Sequence, residues 1–306
     1  MEQKTFTFAE KNGIILSADL ITGKEKTSQT IIYFHGGGLL YGSRHDLNDA
    51  YIGQFLENGF NVLLADYRLA PEVKLPDIYE DASDLILFFR HHAESLGLPD
   101  KEFILFGQSS GAFLALMLAS DPMLPRPCAV LSFYGYSSVS APWLRERNKY
   151  FNTFPLISES LKNAMIRQTP LTVGSVDTRY PLYVYSRQSG KWLDLVLAST
   201  ILNKNSNHLN SIQNVIFTFC PQFFSHIVLQ MKMFQLKNRK KLKMGRLQVS
   251  SLQCVIYRMT LILIRLELKV GWLMMPPFAF CMTSKRKTSE RIRSLVFWCS
   301  LHKFFG

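Results

Sequence analysis

Acidic residues all but vanish from the last third of this chain. Of its 23 Asp and Glu, only Glu267 and Glu290 fall within residues 195–306, a stretch that holds 17 of the 35 Lys and Arg. That stretch carries +15 and residues 1–194 carry −3, so the net charge of +12 does not describe the protein as a whole. Four of the five cysteines (Cys220, Cys254, Cys281 and Cys299) share the same segment. No C-x-x-C pair occurs, which argues against a disulfide framework or a zinc site. No stretch of 18 or more residues is both apolar and free of charge, so a membrane-spanning helix is not expected. The opening MEQKTFTFAEKNG lacks the apolar run of a signal peptide, which makes a cytoplasmic location the default expectation. With 47% hydrophobic residues the chain is too apolar to be wholly disordered, and 306 residues suffice for one large α/β domain or two small ones.

What is present in the first two thirds is ordered. Thr5–Ala9 and Gly13–Leu20 read as strands around a Lys11-Asn12-Gly13 turn. Thr30–Phe34, Asn61–Asp66, Glu102–Phe106 and Cys128–Phe133 are apolar runs of strand length. Ala50–Asn58, a segment opening at Pro76 and Gly111–Ala119 read as helices. In the second of these, Ile78, Ala82, Leu85 and Phe89 recur on one helical face with acids opposite. Strands alternating with helices predict an α/β fold: a doubly wound, mostly parallel sheet with helices on both faces. In such sheets, sites form in the loops at the carboxyl ends of the strands.

Two of those loops carry chemistry. Gly107-Gln108-Ser109-Ser110-Gly111 lies between a predicted strand and a predicted helix, the strand–turn–helix setting that a G-x-S-x-G nucleophile elbow requires. Glycines admit the tight turn, and Ser109 is left at a helix N-terminus, where developing negative charge is favoured. His35-Gly36-Gly37-Gly38 follows the strand ending at Phe34. Consecutive glycines let backbone amides face a ligand oxygen, so Gly37, Gly38 and Ser110 are the candidate oxyanion hole. Either pattern alone is compatible with an ordinary turn; together and in this order, each supplies what the other lacks. His35 reads as a structural hydrogen-bonding residue, because it precedes the nucleophile instead of following it.

YFHGGG, DYRLAPE (Asp66–Glu72) and GQSSGA together resemble the hormone-sensitive-lipase-like carboxylesterases, a branch of the α/β-hydrolases. The resemblance runs from about Thr5 to Leu195. It implies a hydrolase acting on small carboxylic esters, with no metal and no organic cofactor. It also implies a cap over the site between Pro142 and Pro170. Asp66 and Arg68 would then brace the sheet end and loop through ion pairs, with Tyr67 and Pro71 as packing and turn residues.

A serine hydroxyl needs a histidine to take its proton and a carboxylate to hold that histidine. The resemblance implies that both follow the cap, the acid within an Asp-Glu-x-Val-Pro segment and the histidine a few dozen residues later. Neither is here. No Asp follows Asp194, and the downstream histidines are His208, His226 and His302. Glu267 and Glu290 both follow His208 and His226, so His302 alone comes after an acid of this segment, and it lies near the end of the chain in an aromatic stretch.

The genetic code offers an account. Methionine has a single codon, ATG, which constrains the other reading frames around it. Read from the third base of each codon, Gln230-Met231-Lys232-Met233-Phe234 gives Asp or Asn, Glu, Asp or Asn, Val, then Pro or Ser. The Glu and Val are forced, and the missing acid motif is permitted. In the same frame, Ile256-Tyr257-Arg258-Met259-Thr260 permits Leu, Pro and His, then forces Asp, then permits Phe. Two windows in one frame, in the required order, point to a frameshift between Leu195 and Pro221. On this reading, residues 1–195 form a hydrolase core and 196–306 are an out-of-frame, poorly structured basic tail. The last strands of the sheet are then expected to be missing or malformed, leaving an apolar edge.

Two other readings stay open. One is a non-catalytic protein that keeps the pocket for a small ligand. The other is a basic RNA- or membrane-associated protein relying on the Lys237–Lys243 run, although nothing in residues 1–194 resembles a nucleic-acid module. The expected partner is a small-molecule ester, with no nucleic acid and no membrane span. The oligomeric state is left open.

Overall fold

A computed structural model describes residues 1–23, 29–98, 100–139, 141–198 and 296–299. Seven strands form one sheet: β1 (Glu2–Lys11), β2 (Ile14–Thr22), β3 (Gln29–Phe34), β4 (Asn61–Ala65), β5 (Glu102–Gln108), β6 (Ala129–Phe133) and β7 (Val296–Cys299). Their spatial order is β1-β2-β4-β3-β5-β6-β7. β1 and β2 form an antiparallel hairpin, β2 joins β4 antiparallel, and every pairing from β4 to β7 is parallel. β3 and β4 are buried along their whole length, as apolar runs covered on both sheet faces should be.

The helices are α1 (Asp49–Glu57), α2 (Leu75–His92), α3 (Ser110–Ser120), α4 (Glu159–Met165), α5 (Val176–Ser189) and α6 (Trp192–Val196). Pro76 sits in the first turn of α2, where its missing N–H costs nothing, and the Asp77 carboxylate accepts from the Lys74 amide at 2.9 Å. The predicted stripe of Ile78, Ala82, Leu85 and Phe89 is buried. It joins α3 and one sheet face in the larger core, while Ile52 and Phe55 of α1 pack with Tyr33, Val62 and Phe106 on the other. Helices therefore cover both faces, as the alternation of elements requires. α5 and α6 were not expected from the sequence.

The tail supplies one described strand. β7 has four residues, fewer than any other strand, and pairs parallel to β6. Over that length β7 pairs with the outer edge of β6, and it is the single described strand that the last third contributes. The tail windows containing Met231 and Met259 lie outside the described residues, as do His208, His226, Glu267, Glu290 and His302.

The Asp66–Glu72 motif is a set of clamps. Arg44 donates to Asp66 and, at 2.8 Å, to Asp19 on β2. Tyr67 Oη donates to the His35 carbonyl at 2.8 Å, and its ring stacks on the imidazole. Arg68 pairs with Asp81 of α2 at 2.7 Å, with both side chains buried. The Ala70 amide donates to the Leu39 carbonyl, and Glu72 pairs with Arg179 of α5. Asp66 and Arg68 thus each make an ion pair, with partners on different elements. Cutting Arg68→Met strands a buried carboxylate, so unfolding free energy is expected to fall by about 3 kcal/mol in denaturant titrations at neutral pH. A loss below about 0.5 kcal/mol, the range of ordinary surface changes, would show the pair to be incidental.

Candidate active site

The sheet reverses its winding at β3, whose neighbours are β4 on one side and β5 on the other. A crevice forms outside the carboxyl ends at such a switch point. The two loops singled out by sequence leave β3 and β5 there, so topology alone brings them together.

Ser109 ends β5 and opens α3 with φ 53° and ψ −117°, a conformation that costs an L-residue energy and is characteristic of an elbow nucleophile. Its amide donates to the Phe133 carbonyl at 2.8 Å, and its carbonyl accepts from Phe113 at 3.1 Å. The turn closes only because both flanking residues lack a side chain. A Cβ on Gly107 would lie 2.3 Å from the Gly111 carbonyl, and one on Gly111 would lie 2.2 Å from the Phe34 carbonyl oxygen.

The glycine loop abuts this turn. A Cβ on Gly36 would sit 3.5 Å from Ser109 Cβ, so the two corners touch. Gly37 and Gly38 have φ of 96° and 66°. Three hydrogen bonds fix the loop through other groups: the Leu40 amide to the Gly37 carbonyl (3.0 Å), the Leu39 amide to Ser110 Oγ (3.1 Å) and Trp192 Nε1 to the Gly38 carbonyl (2.9 Å). None of these uses the amides of Gly37 or Gly38. His35 is fully buried, and its Nδ1 lies 2.8 Å from the Gly36 carbonyl, which it serves as donor. Burial pushes this imidazole down to about 4, so it is neutral at physiological pH and has no means of carrying a proton to solvent.

Beside Ser109 is a small open pocket lined by Gly38, Ser109, Tyr136, Trp143, Leu144, Tyr183, Arg187 and Trp192. The lining extends past Pro170 into α5 and α6, beyond the segment expected to form the cap. Sequence reading missed all of these α5 and α6 residues, and also Arg179, which donates to the Leu40 and Ala70 carbonyls and pins α5 against the glycine loop. Aromatic density was the signal available for Tyr183 and Trp192; nothing in spacing marked the two arginines. Among the described residues, neither a histidine nor a carboxylate lines this cavity.

Comparison with known proteins agrees with this geometry. The family described as BD-FAE matches residues 19–125, which contain both loops. Over 151 residues the chain is 32% identical to the non-reducing polyketide synthase adrD of Penicillium roqueforti, a match covering 44% of this chain and 6% of that far longer protein. A Staphylococcus aureus protein of unknown function is 30% identical with a TM-score of 0.53, covering 62% of this chain and 68% of that one. An alpha/beta hydrolase superfamily protein from Enterococcus faecalis is 26% identical with a TM-score of 0.57, covering 68% and 72%. Strand order converges with these matches: the chain has the fold of the α/β-hydrolases, and its residues 19–125 match the family described as BD-FAE.

Proposed function

We propose that this chain is built as a serine carboxylesterase for small esters, with Ser109 as nucleophile and the amides of Gly37, Gly38 and Ser110 as oxyanion hole. The observation that carries the reading is the meeting of a strained serine at a helix N-terminus with a glycine loop whose amides are left out of the loop's own bonding. Ser109 Oγ would attack the acyl carbon, and charge developing on the carbonyl oxygen would be met by those amides and the α3 dipole. Among the described residues the attack has no base. The cavity wall holds neither histidine nor carboxylate among the described residues, and no Asp follows Asp194. Turnover is therefore expected to be residual. The esterase core is placed at residues 1–195 and the aberrant tail beyond it, with a cytoplasmic location. No described helix is long and apolar enough to cross a membrane.

The test is incubation with p-nitrophenyl acetate followed by peptide mass analysis. One acetyl group is expected on the Ser109 peptide, with none in Ser109→Ala. Acetylation spread over lysines and unaffected by Ser109→Ala would defeat the proposal. The absence of a base from the cavity wall also favours a second reading, a non-catalytic binder of small ligands. That reading predicts a ligand-induced rise in melting temperature with no acetyl transfer.

A further inference from the structure

The wall of the pocket is not uniformly apolar. Arg187, on α5, is 1% exposed, yet its residue borders the same cavity as Ser109. One guanidinium N–H donates to the Trp143 carbonyl at 3.0 Å, and the group lies 5.0 Å from the centre of the Trp143 ring. Tyr136 borders the cavity as well. Its ring is held by stacking on Phe113 at 4.7 Å and by edge contacts with Trp143 and Trp192. Its buried hydroxyl has no hydrogen-bond partner among the described residues. A buried hydroxyl without a partner is uncommon and calls for a ligand or water. Both groups sit against the Trp143 ring, Tyr136 at 5.4 Å and the Arg187 guanidinium at 5.0 Å from its centre.

We propose that this cavity takes a small ester bearing a second, free carboxylate, which the Arg187 guanidinium and the Tyr136 hydroxyl hold while the ester carbonyl faces Ser109. A guanidinium fork and a phenolic O–H are donors that match carboxylate oxygens. The aromatic walls would otherwise suit a cation, but Arg187 repels one. This inference rests on Ser109 being the acyl acceptor, because that places the ester end of the ligand.

Equilibrium binding tests it without requiring turnover. Monomethyl succinate and its neutral counterpart, methyl succinamate, are titrated into the full chain while tryptophan fluorescence is followed; Trp143 and Trp192 report on the cavity. The acid is expected to bind at least about tenfold more tightly than the amide. Arg187→Met should erase that preference while leaving amide binding in place, and Arg187→Lys should recover part of it. Tyr136→Phe keeps the ring and its stacking, and should weaken acid binding about fivefold with the amide unchanged. Equal binding of acid and amide would overturn the proposal. So would a loss in Arg187→Met and Tyr136→Phe that affects both ligands alike, since that would make the two residues purely structural. A preference for the acid without acetylation of Ser109 would sink the esterase reading and leave the carboxylate site standing. Acetylation of Ser109 without the preference would do the reverse.

Discussion

Gly111→Ala is expected to lower the unfolding free energy by more than about 4 kcal/mol, a loss reserved for a few identifiable mechanisms. The added methyl would lie 2.2 Å from the Phe34 carbonyl oxygen and 2.3 Å from that of His35. Both obstacles are backbone, so no side-chain rotation relieves them. Phe34 ends β3, which is hydrogen-bonded to β4 and β5 on its two sides and cannot retreat alone. The remaining escape is for α3 to lift from the sheet. That would open the larger core around Phe113 and Leu114, both fully buried, and leave contacts unmade on each side. Chemical denaturation of the parent and the variant measures the effect. As an internal contrast, Gly53→Ala lies on α1 with nothing within 4 Å of the new methyl. It is expected to raise stability by up to about 1 kcal/mol through helix propensity. Similar effects at the two positions would mean that α3 does not press on the end of β3 as closely as described. Such a result would also remove the reason for a glycine two residues after Ser109.

How much of this was legible in the sequence differs by element, for physical reasons. β3 to β6 were readable because strands buried on both faces are continuous apolar runs, and α2 because its buried positions recur at helical spacing. Their ends shifted by a residue or two, as helix and strand ends do. α5 was not readable. Its buried face includes Arg179, Ser186, Arg187 and Gln188, so polar side chains interrupt the apolar stripe, and Pro181 sits inside the helix. Three of those polar groups, Arg179, Arg187 and Gln188, have partners far along the chain. Gln188 donates to the carbonyls of Phe151 and Pro155, and Arg179 pairs with Glu72. Local pattern cannot reveal pairings of that kind. The same holds for Asp66–Glu72, where the motif was visible but its partners Arg44, Asp81 and Arg179 were not. The elbow and the glycine loop were legible because their constraint is local: a backbone that only glycine can follow.

Restoring the frame read from the third base of each codon downstream of Leu195 is expected to raise ester hydrolysis by roughly 10,000-fold to a millionfold, the range lost when an essential member of a catalytic triad is removed. On the proposed reading, the amides of the elbow and glycine loop would bind charge on the substrate oxygen, and among the described residues no group beside the pocket would take a proton from Ser109. His35 does not fill that role, being fully buried and held neutral. Across Met231-Lys232 and Met233-Phe234 the shifted frame forces Glu and Val, which sit correctly for an Asp-Glu-x-Val-Pro acid segment; across Met259-Thr260 it forces an Asp directly after a codon that permits His. A single frame change would also account for the loss of acids and the excess of cysteines in one step, where separate point substitutions would have to accumulate all with the same bias. The measurement compares initial rates on p-nitrophenyl acetate for the chain as it stands and for the frame-restored chain. A Ser109→Ala version of the latter serves as control and should fall back to the level of the former. Gene nucleotides that encode neither window in the shifted frame would refute the frameshift directly. A restored chain that folds yet hydrolyses no faster would show that the missing base is not what holds Ser109 silent.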